Sequence, residues 1–220
     1  MMDTVDVWLV DSVLPQGVLD ELRGYLDDGE LDRERRTHPE QRREFVAAHG
    51  VARLLAGQAL GIAPRQVRWR IGRHGKPEVD GVRVSLSRSA GMAMVAHTPR
   101  RAVGVDLQWV DDGLDVARAA ARYYPVHEAR FVAECPPPRR PARFTGLLAR
   151  KEACVKAAGG RLFPGLRLPV HERGVVHQAD GPYRVRDLLA PSGYAAAVAL
   201  AGEDDYLVRE HLWAGQGVAP

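Results

Sequence analysis

A chain of 220 residues with 45% hydrophobic and 27% charged side chains is too apolar to be disordered and has room for one substantial core or two small ones. Its net charge of +3 and pI near 9.1 exclude nothing alone, since nucleic acid, an acidic protein or a polyanionic small molecule would all fit. The two cysteines, Cys135 and Cys154, lack the spacing of a zinc site or disulfide framework, so reduced thiols are expected. The first twelve residues are interrupted by Asp6 and Asp11 with no basic leader, and the late apolar run Tyr194 to Ala201 is less than half a membrane span. The expectation is a soluble cytoplasmic protein with no membrane partner.

Among 31 basic residues only Lys76, Lys151 and Lys156 are lysine. In an arginine- and alanine-heavy chain, surface lysine drifts to arginine wherever the site is indifferent. The three survivors therefore mark positions that need a compact ammonium instead of a planar guanidinium.

In chain order, Glu40 to Leu60 carries Phe45, Val46, Val51, Leu54 and Leu55 at helical spacing, stops at Gly61, and predicts a long amphipathic helix. Val67 to Ile71 alternates as a strand, Gly72 to Pro77 is a turn, and short strands follow near Val82 to Leu86 and Gly91 to His97. Val103 to Val110 is a further strand, with Val103, Val105, Leu107 and Trp109 on one face and Gly104, Asp106 and Gln108 on the other. The exposed loop Pro136 to Arg140 precedes a second helix, Phe144 to Ala158, and Tyr194 to Leu200 is a strand. The second half thus repeats the order of the first. Ser89 to Ala96 resembles Pro191 to Val198, setting Gly91 against Gly193, and Phe45 and Phe144 fall at similar points of the two helices. The expected fold is α+β, two similar halves, residues 1–101 and 102–220, each a small antiparallel sheet with a long helix, and a cofactor cleft between them.

Glu152 and Lys156 are four apart on one helix face, while Lys151 points elsewhere. Asp106 and Gln108 share one strand face. A strand carboxylate and a helix carboxylate meeting at one point would suit magnesium, and Lys156 could reach a phosphate of the same ligand. Alone, a helical Glu to Lys pair is more often an ordinary surface ion pair worth about 0.2–0.5 kcal/mol.

The strand Val103-Gly104-Val105-Asp106-Leu107-Gln108 and the helix Arg150-Lys151-Glu152-Ala153-Cys154-Val155-Lys156-Ala157-Ala158-Gly159 resemble the two signatures of the 4'-phosphopantetheinyl transferase superfamily. Gly75-Lys76-Pro77 and Val84-Ser85-Leu86-Ser87-Arg88-Ser89 match, in order, further motifs of its large, surfactin-synthetase-activating type. The resemblance spans residues 33 to 200 and contains all three lysines. It implies two similar halves about a pseudo-twofold axis, and transfer of phosphopantetheine from coenzyme A to a serine of an acyl or peptidyl carrier protein. On the same resemblance Asp106 and Glu152, with Gln108, hold magnesium; Lys156 holds the pyrophosphate; Arg35, Arg73, Gly75, Lys76, Pro77, Ser87 and Arg88 take the nucleotide end. Glu152 would deprotonate the serine. Three positions depart from the pattern: Gln108 for an acidic residue, Arg88 for histidine and Leu148 for tryptophan. The missing acidic group leaves a catalytically weak coenzyme A-binding regulator as the alternative.

Other classes fit worse. Gly72 to Lys76 has too few residues between its glycines for a P-loop, His171-Glu172 is not followed by a second histidine at the spacing of a His-Glu-x-x-His zinc motif, and Ser87-Arg88-Ser89-Ala90-Gly91 lacks the first glycine of a serine-hydrolase elbow. No aromatic residues interleave the arginines as nucleic-acid binding would favour. A monomer is expected, because two halves would already enclose one cleft.

Overall fold

The structure, a computed structural model, describes residues 2–72, 75–160, 162–171 and 174–215. The chain opens with strand β1 (Asp3–Asp11) and helices α1 (Gln16–Tyr25), α2 (Asp28–Arg36) and α3 (Arg42–Leu60). Two short paired strands, β2 (Arg70–Ile71) and β3 (Pro77–Glu78), lead to β4 (Arg83–Ser89), β5 (Met92–Thr98) and β6 (Val103–Trp109). Helices α4 (Val116–Tyr123), α5 (Val126–Ala133), α6 (Arg140–Ala158) and the four-residue α7 (Leu162–Gly165) follow, then β7 (Val175–Gln178), β8 (Gly181–Leu188), β9 (Tyr194–Ala201) and β10 (Tyr206–Trp213). No described helix is long and apolar enough to cross a membrane.

The mixed α+β expectation holds. One four-stranded sheet has the order β10-β1-β5-β4 and the other β6-β9-β8-β7. Strand alternation sorts the apolar side chains into three cores. Val5, Val7, Met94 and Ala96 face Val105, Leu107, Val198 and Leu200 between the sheets. The opposite face of the first sheet, through Val10, Ala93 and Val95, packs on α3. The opposite face of the second, through Ala197 and Ala199, packs on α6. The helices therefore lie outside and the sheets inside. The first sheet is not wholly antiparallel as expected, because β10 returns from the far end of the chain to pair parallel with β1. Cutting the chain between residues 101 and 102 thus leaves β10 with the second segment by sequence and the first sheet by hydrogen bonding.

The two long helices correspond closely. Each has 19 residues, follows a 3-10 turn opened by proline, and ends on a left-handed glycine, Gly61 at φ 67° and Gly159 at φ 65°. The exposed Pro136 to Arg140 stretch, expected to be a loop, forms that turn and the first residue of α6. Val46, not Phe45, occupies the place in α3 that Phe144 has in α6. Each helix also buries one ion pair. Arg53 is fully buried against Glu30 and donates to the carbonyls of Val67 at 3.0 Å and Pro64 at 3.2 Å. Lys151 is fully buried against Glu128 and donates to the Leu168 carbonyl. Glu128 and Lys151 each lie 98 positions after their counterparts Glu30 and Arg53. The carboxylate of Glu128 also accepts from the Val170 and His171 amides at 2.6 and 2.8 Å, so this pair ties α5, α6 and the segment after α7 together.

A buried pair of this kind fails when one partner is lost, because the other is left charged in an apolar core. Lys151→Met is expected to cost about 3–5 kcal/mol in urea unfolding, and Glu128→Gln combined with Lys151→Met to recover part of that loss. A loss under about 1 kcal/mol for the single variant would show that the pair is solvated.

Candidate active site

The edge strands of the two sheets, β4 and β6, run side by side and are joined through serine hydroxyls in place of a backbone ladder. Ser85 Oγ accepts from the Val105 amide at 3.0 Å, and Ser89 Oγ accepts from the Trp109 amide at 2.9 Å. Ser87, between them, donates to Asp106 Oδ1 at 2.7 Å. The every-second-residue serines of β4 point to β6 because successive strand side chains alternate faces.

Asp106 is fully buried, on the face of β6 that looks toward α6. Its Oδ1 also accepts from Lys156 Nζ at 2.6 Å, and the same ammonium donates to Ser87 Oγ at 2.8 Å. Gln108 Nε2 donates to Asp106 Oδ2 at 2.9 Å and to Glu152 Oε1 at 3.2 Å. One strand and one helix thus bring two carboxylates, an amide and an ammonium together. Glu152 and Lys156 reach the strand together because they stand one helical turn apart. Gly104 lets the helix come close: a Cβ there would lie 2.0 Å from the Ala153 carbonyl oxygen and 2.4 Å from the Ala157 nitrogen. Burial, then the neighbouring Asp106 carboxylate, push Glu152 up to about 7, with Lys156 pulling the other way.

These residues fit a small divalent cation. A single amide nitrogen lies within hydrogen-bond reach of both carboxylates, so both converge on one spot, and turning that amide would present a third oxygen. Among the described residues no three histidine, cysteine, aspartate or glutamate side chains cluster as a metal site, so water or ligand oxygens would complete the shell.

Two adjoining cavities flank the cluster. One, of about 400 Å³, is lined by Gln41, Glu44, Leu86, Ser87, Arg88, Asp106, Gln108, Glu152 and Lys156. The other, of about 290 Å³, shares Leu86, Arg88 and Lys156 and adds Arg33, His49, Gly75, Lys76, Pro77, Ser85, Gly159 and Gly160. Among the described residues no carboxylate lines the second, which suits it to an anionic ligand. Phe45 props this wall: His49 stacks on its ring at 4.0 Å and the Arg88 guanidinium sits 5.2 Å above it. Burial holds His49 below the usual imidazole range, with Arg33 and Arg88 acting in the same direction, although Glu30 opposes them.

Most of the residues singled out from the sequence meet here. Asp106, Gln108, Glu152, Lys156, Ser87 and Arg88 line one cavity, and Gly75, Lys76 and Pro77 line its neighbour. Arg35 lines neither; it is exposed and paired with Asp32, while Arg33 of the same basic run faces the ligand-sized space. Arg73 lies outside the described residues. Lys76 contributes its stem to the cavity, but its ammonium turns to backbone carbonyls. His49 and Glu44 were not anticipated. The signal for His49 was present, since Phe45, His49 and Arg53 recur every four residues along the buried face of α3.

Residues 102–209 match the profile of the ACPS family, the 4'-phosphopantetheinyl transferase superfamily. That segment contains the β6 and α6 site residues. The chain is also 28% identical over 213 residues to "4'-phosphopantetheinyl transferase HetI" of Nostoc sp., covering 92% of this chain and 90% of that protein. It is 26% identical over 172 residues to "Putative 4'-phosphopantetheinyl transferase slr0495" of Synechocystis sp., covering 76% and 69%. The chain is thus similar to phosphopantetheinyl transferases over most of its length, and the family profile matches its second half.

Proposed function

We propose that the protein transfers 4'-phosphopantetheine from coenzyme A to a serine of a carrier protein, releasing adenosine 3',5'-bisphosphate. The convergence of Asp106, Glu152, Gln108 and Lys156 beside an arginine-lined cavity carries this reading. Arg33, Arg88 and His49 take the phosphates at the nucleotide end of coenzyme A, and Lys156 sets its charge beside the pyrophosphate. Glu152, raised to about 7 so that its carboxylate is poised to gain a proton near neutral pH, takes the proton from the serine hydroxyl, directly or through a water. The serine oxygen bonds to the β-phosphorus as the pyrophosphate P–O bond breaks and the nucleotide leaves. Magnesium held by Asp106, Glu152 and the Gln108 amide oxygen would supply neutralisation of charge building on the pyrophosphate oxygens.

The recurrence of a 19-residue helix, glycine cap and buried ion pair 98 positions apart supports a duplicated chain with a pseudo-twofold arrangement, residues 1–101 and 102–220 contributing its halves. The Gly75-Lys76-Pro77 and Ser87-Arg88 motifs favour the large, surfactin-synthetase-activating type. Carriers of polyketide or nonribosomal peptide assembly are the expected partners, met in the cytoplasm by a monomer.

Mass spectrometry tests the transfer. Incubation with coenzyme A, magnesium and several apo carriers is expected to add one phosphopantetheine to a carrier serine. Arg33→Ala and Arg88→Ala should raise KM for coenzyme A about tenfold with kcat little changed, since they remove binding at a part of the substrate distant from the reacting phosphorus. Tight coenzyme A binding with no modified carrier would instead favour the weakly catalytic regulatory relative, for which Gln108 in place of an acidic residue is the motivating feature.

A further inference from the structure

We propose that Lys76 is a positioning residue: its ammonium clamps the helix bearing Glu152 and Lys156 to the strand bearing Asp106, and does not grip the ligand. Lys76 Nζ donates to the carbonyl oxygens of Lys156 at 2.7 Å, Val103 at 2.8 Å and Ala157 at 3.4 Å. Lys156 and Ala157 lie in the last turn of α6, where carbonyls lack the usual i+4 amide, the Lys156 carbonyl taking only the capping Gly159 amide at 3.2 Å, and where the helix dipole is negative. Val103 is the first residue of β6. The three N–H donors of an ammonium match three converging oxygens, leaving none for a bound anion.

The clamp comes from the other side of the cleft. Lys76 sits in the turn between β2 and β3, closed by a hydrogen bond from the Gly72 amide to the Lys76 carbonyl at 2.9 Å. Lys76, Pro77 and Gly159 line both the 290 Å³ cavity and one of about 230 Å³, which is lined in addition by Val82, Ala102 and Tyr183. Close backbone contact at Gly104 and the clamp at Val103 together set how far Glu152 and Lys156 stand from Asp106. The geometry also accounts for a lysine in a chain with 28 arginines, because a planar five-donor fork cannot seat on three oxygens that converge on one point. Burial pushes the ammonium down to about 8, which still leaves it charged at neutral pH.

The effect on turnover rests on the proposed transfer reaction, whereas the clamp itself does not. With only three lysines, the protein labelled with 15N at lysine Nζ gives three side-chain signals, and Lys76→Met assigns one by its absence. The Lys76 signal is expected to exchange slowly with water and to stay in place when adenosine 3',5'-bisphosphate is added. In turnover, Lys76→Met should lower kcat at least ~10-fold while changing the dissociation constant for adenosine 3',5'-bisphosphate less than ~3-fold, and Lys76→Arg should not rescue it. A Lys76 signal that moves on titrating the nucleotide, or an arginine variant with wild-type kcat beside a methionine variant that only raises KM, would overturn the clamp. If Lys76→Met does not fold, the Lys151→Met and Lys156→Met spectra assign the signal by elimination and the wild-type titration decides. Absence of transfer by the wild type would remove the proposed function and leave this spectroscopic test intact.

Discussion

Replacing Glu152 with glutamine is expected to lower phosphopantetheine transfer about 10²–10⁴-fold, as loss of a general base does, and to make the metal-free protein more stable. The two effects have one cause. Glu152 is pushed up to about 7 by burial and by Asp106, so folding disfavours its charged form. A carboxyl group raised in the folded state adds no penalty below its ordinary value near 4.5, where both states hold the proton. Stability is then lost as pH rises from about 4.5 through about 7, the window in which the unfolded state has released the proton and the folded state still holds it. Glutamine removes that loss. In buffer with chelator at pH 8 the variant should exceed the wild type by on the order of 1–3 kcal/mol after allowance for solvent screening, and the gap should close at pH 4. Magnesium should reverse the order, because a cation bound by both carboxylates stabilises only the wild type. Thermal unfolding at the two pH values, with and without magnesium, checks each part. An unchanged gap between pH 4 and pH 8 would show that Glu152 is not held neutral, and unchanged turnover would remove it as the base.

Gly104→Ala is the second large effect. The new Cβ would be driven into the backbone of α6 at Ala153 and Ala157, which cannot yield as a flexible side chain would. Overpacking of this kind costs about 3 kcal/mol or more when backbone is the obstacle. The helix must move off β6, carrying Glu152 and Lys156 away from Asp106, and a displacement of about 1 Å is enough to lower turnover roughly 10²-fold. Gly146→Ala, on the same helix with nothing within 4 Å of the added carbon, is the control. It should be neutral or stabilise by about 0.5–1 kcal/mol, since glycine gives up more chain entropy in a helix than alanine. Urea unfolding and steady-state transfer rates of both variants test the pair. A Gly104→Ala protein with native stability and activity would mean that the helix-to-strand distance does not govern the site.

The parts of this molecule legible in its sequence are those whose signal is local. The apolar spacing that ends at Gly61 and Gly159 predicted both long helices, because side-chain period and a left-handed glycine cap are properties of a few neighbouring residues. The alternation in Val103–Trp109 put Gly104, Asp106 and Gln108 on one face for the same reason, and i to i+4 spacing put Glu152 and Lys156 on another. The scarcity of lysine also carried information. All three ammonium groups meet converging oxygens: Lys76 at three carbonyls, Lys151 at Glu128 and the Leu168 carbonyl, and Lys156 at Asp106 and Ser87.

What those lysines hold could not be read from the chain. Lys76 and Lys156 stand in motifs of equal prominence, yet one faces carbonyls of the protein and the other the site, because the difference depends on where α6 ends relative to a turn eighty residues earlier. Arg33 and Arg35 belong to one basic run. Helical rotation and the Asp32 partner turn Arg35 away, while Arg33 faces the cavity. Strand β10 alternates like many strands, but its parallel place beside β1 is fixed by a contact between opposite ends of the chain. Sequence alone determined the two long helices and the strands β4, β5, β6 and β9, through local periodicity, and the residue types of the candidate site, through its motifs. Only the tertiary structure decided which oxygens each cation meets, because pairings between residues 17 to 81 positions apart are set by the packing of two sheets and two helices and leave no local trace.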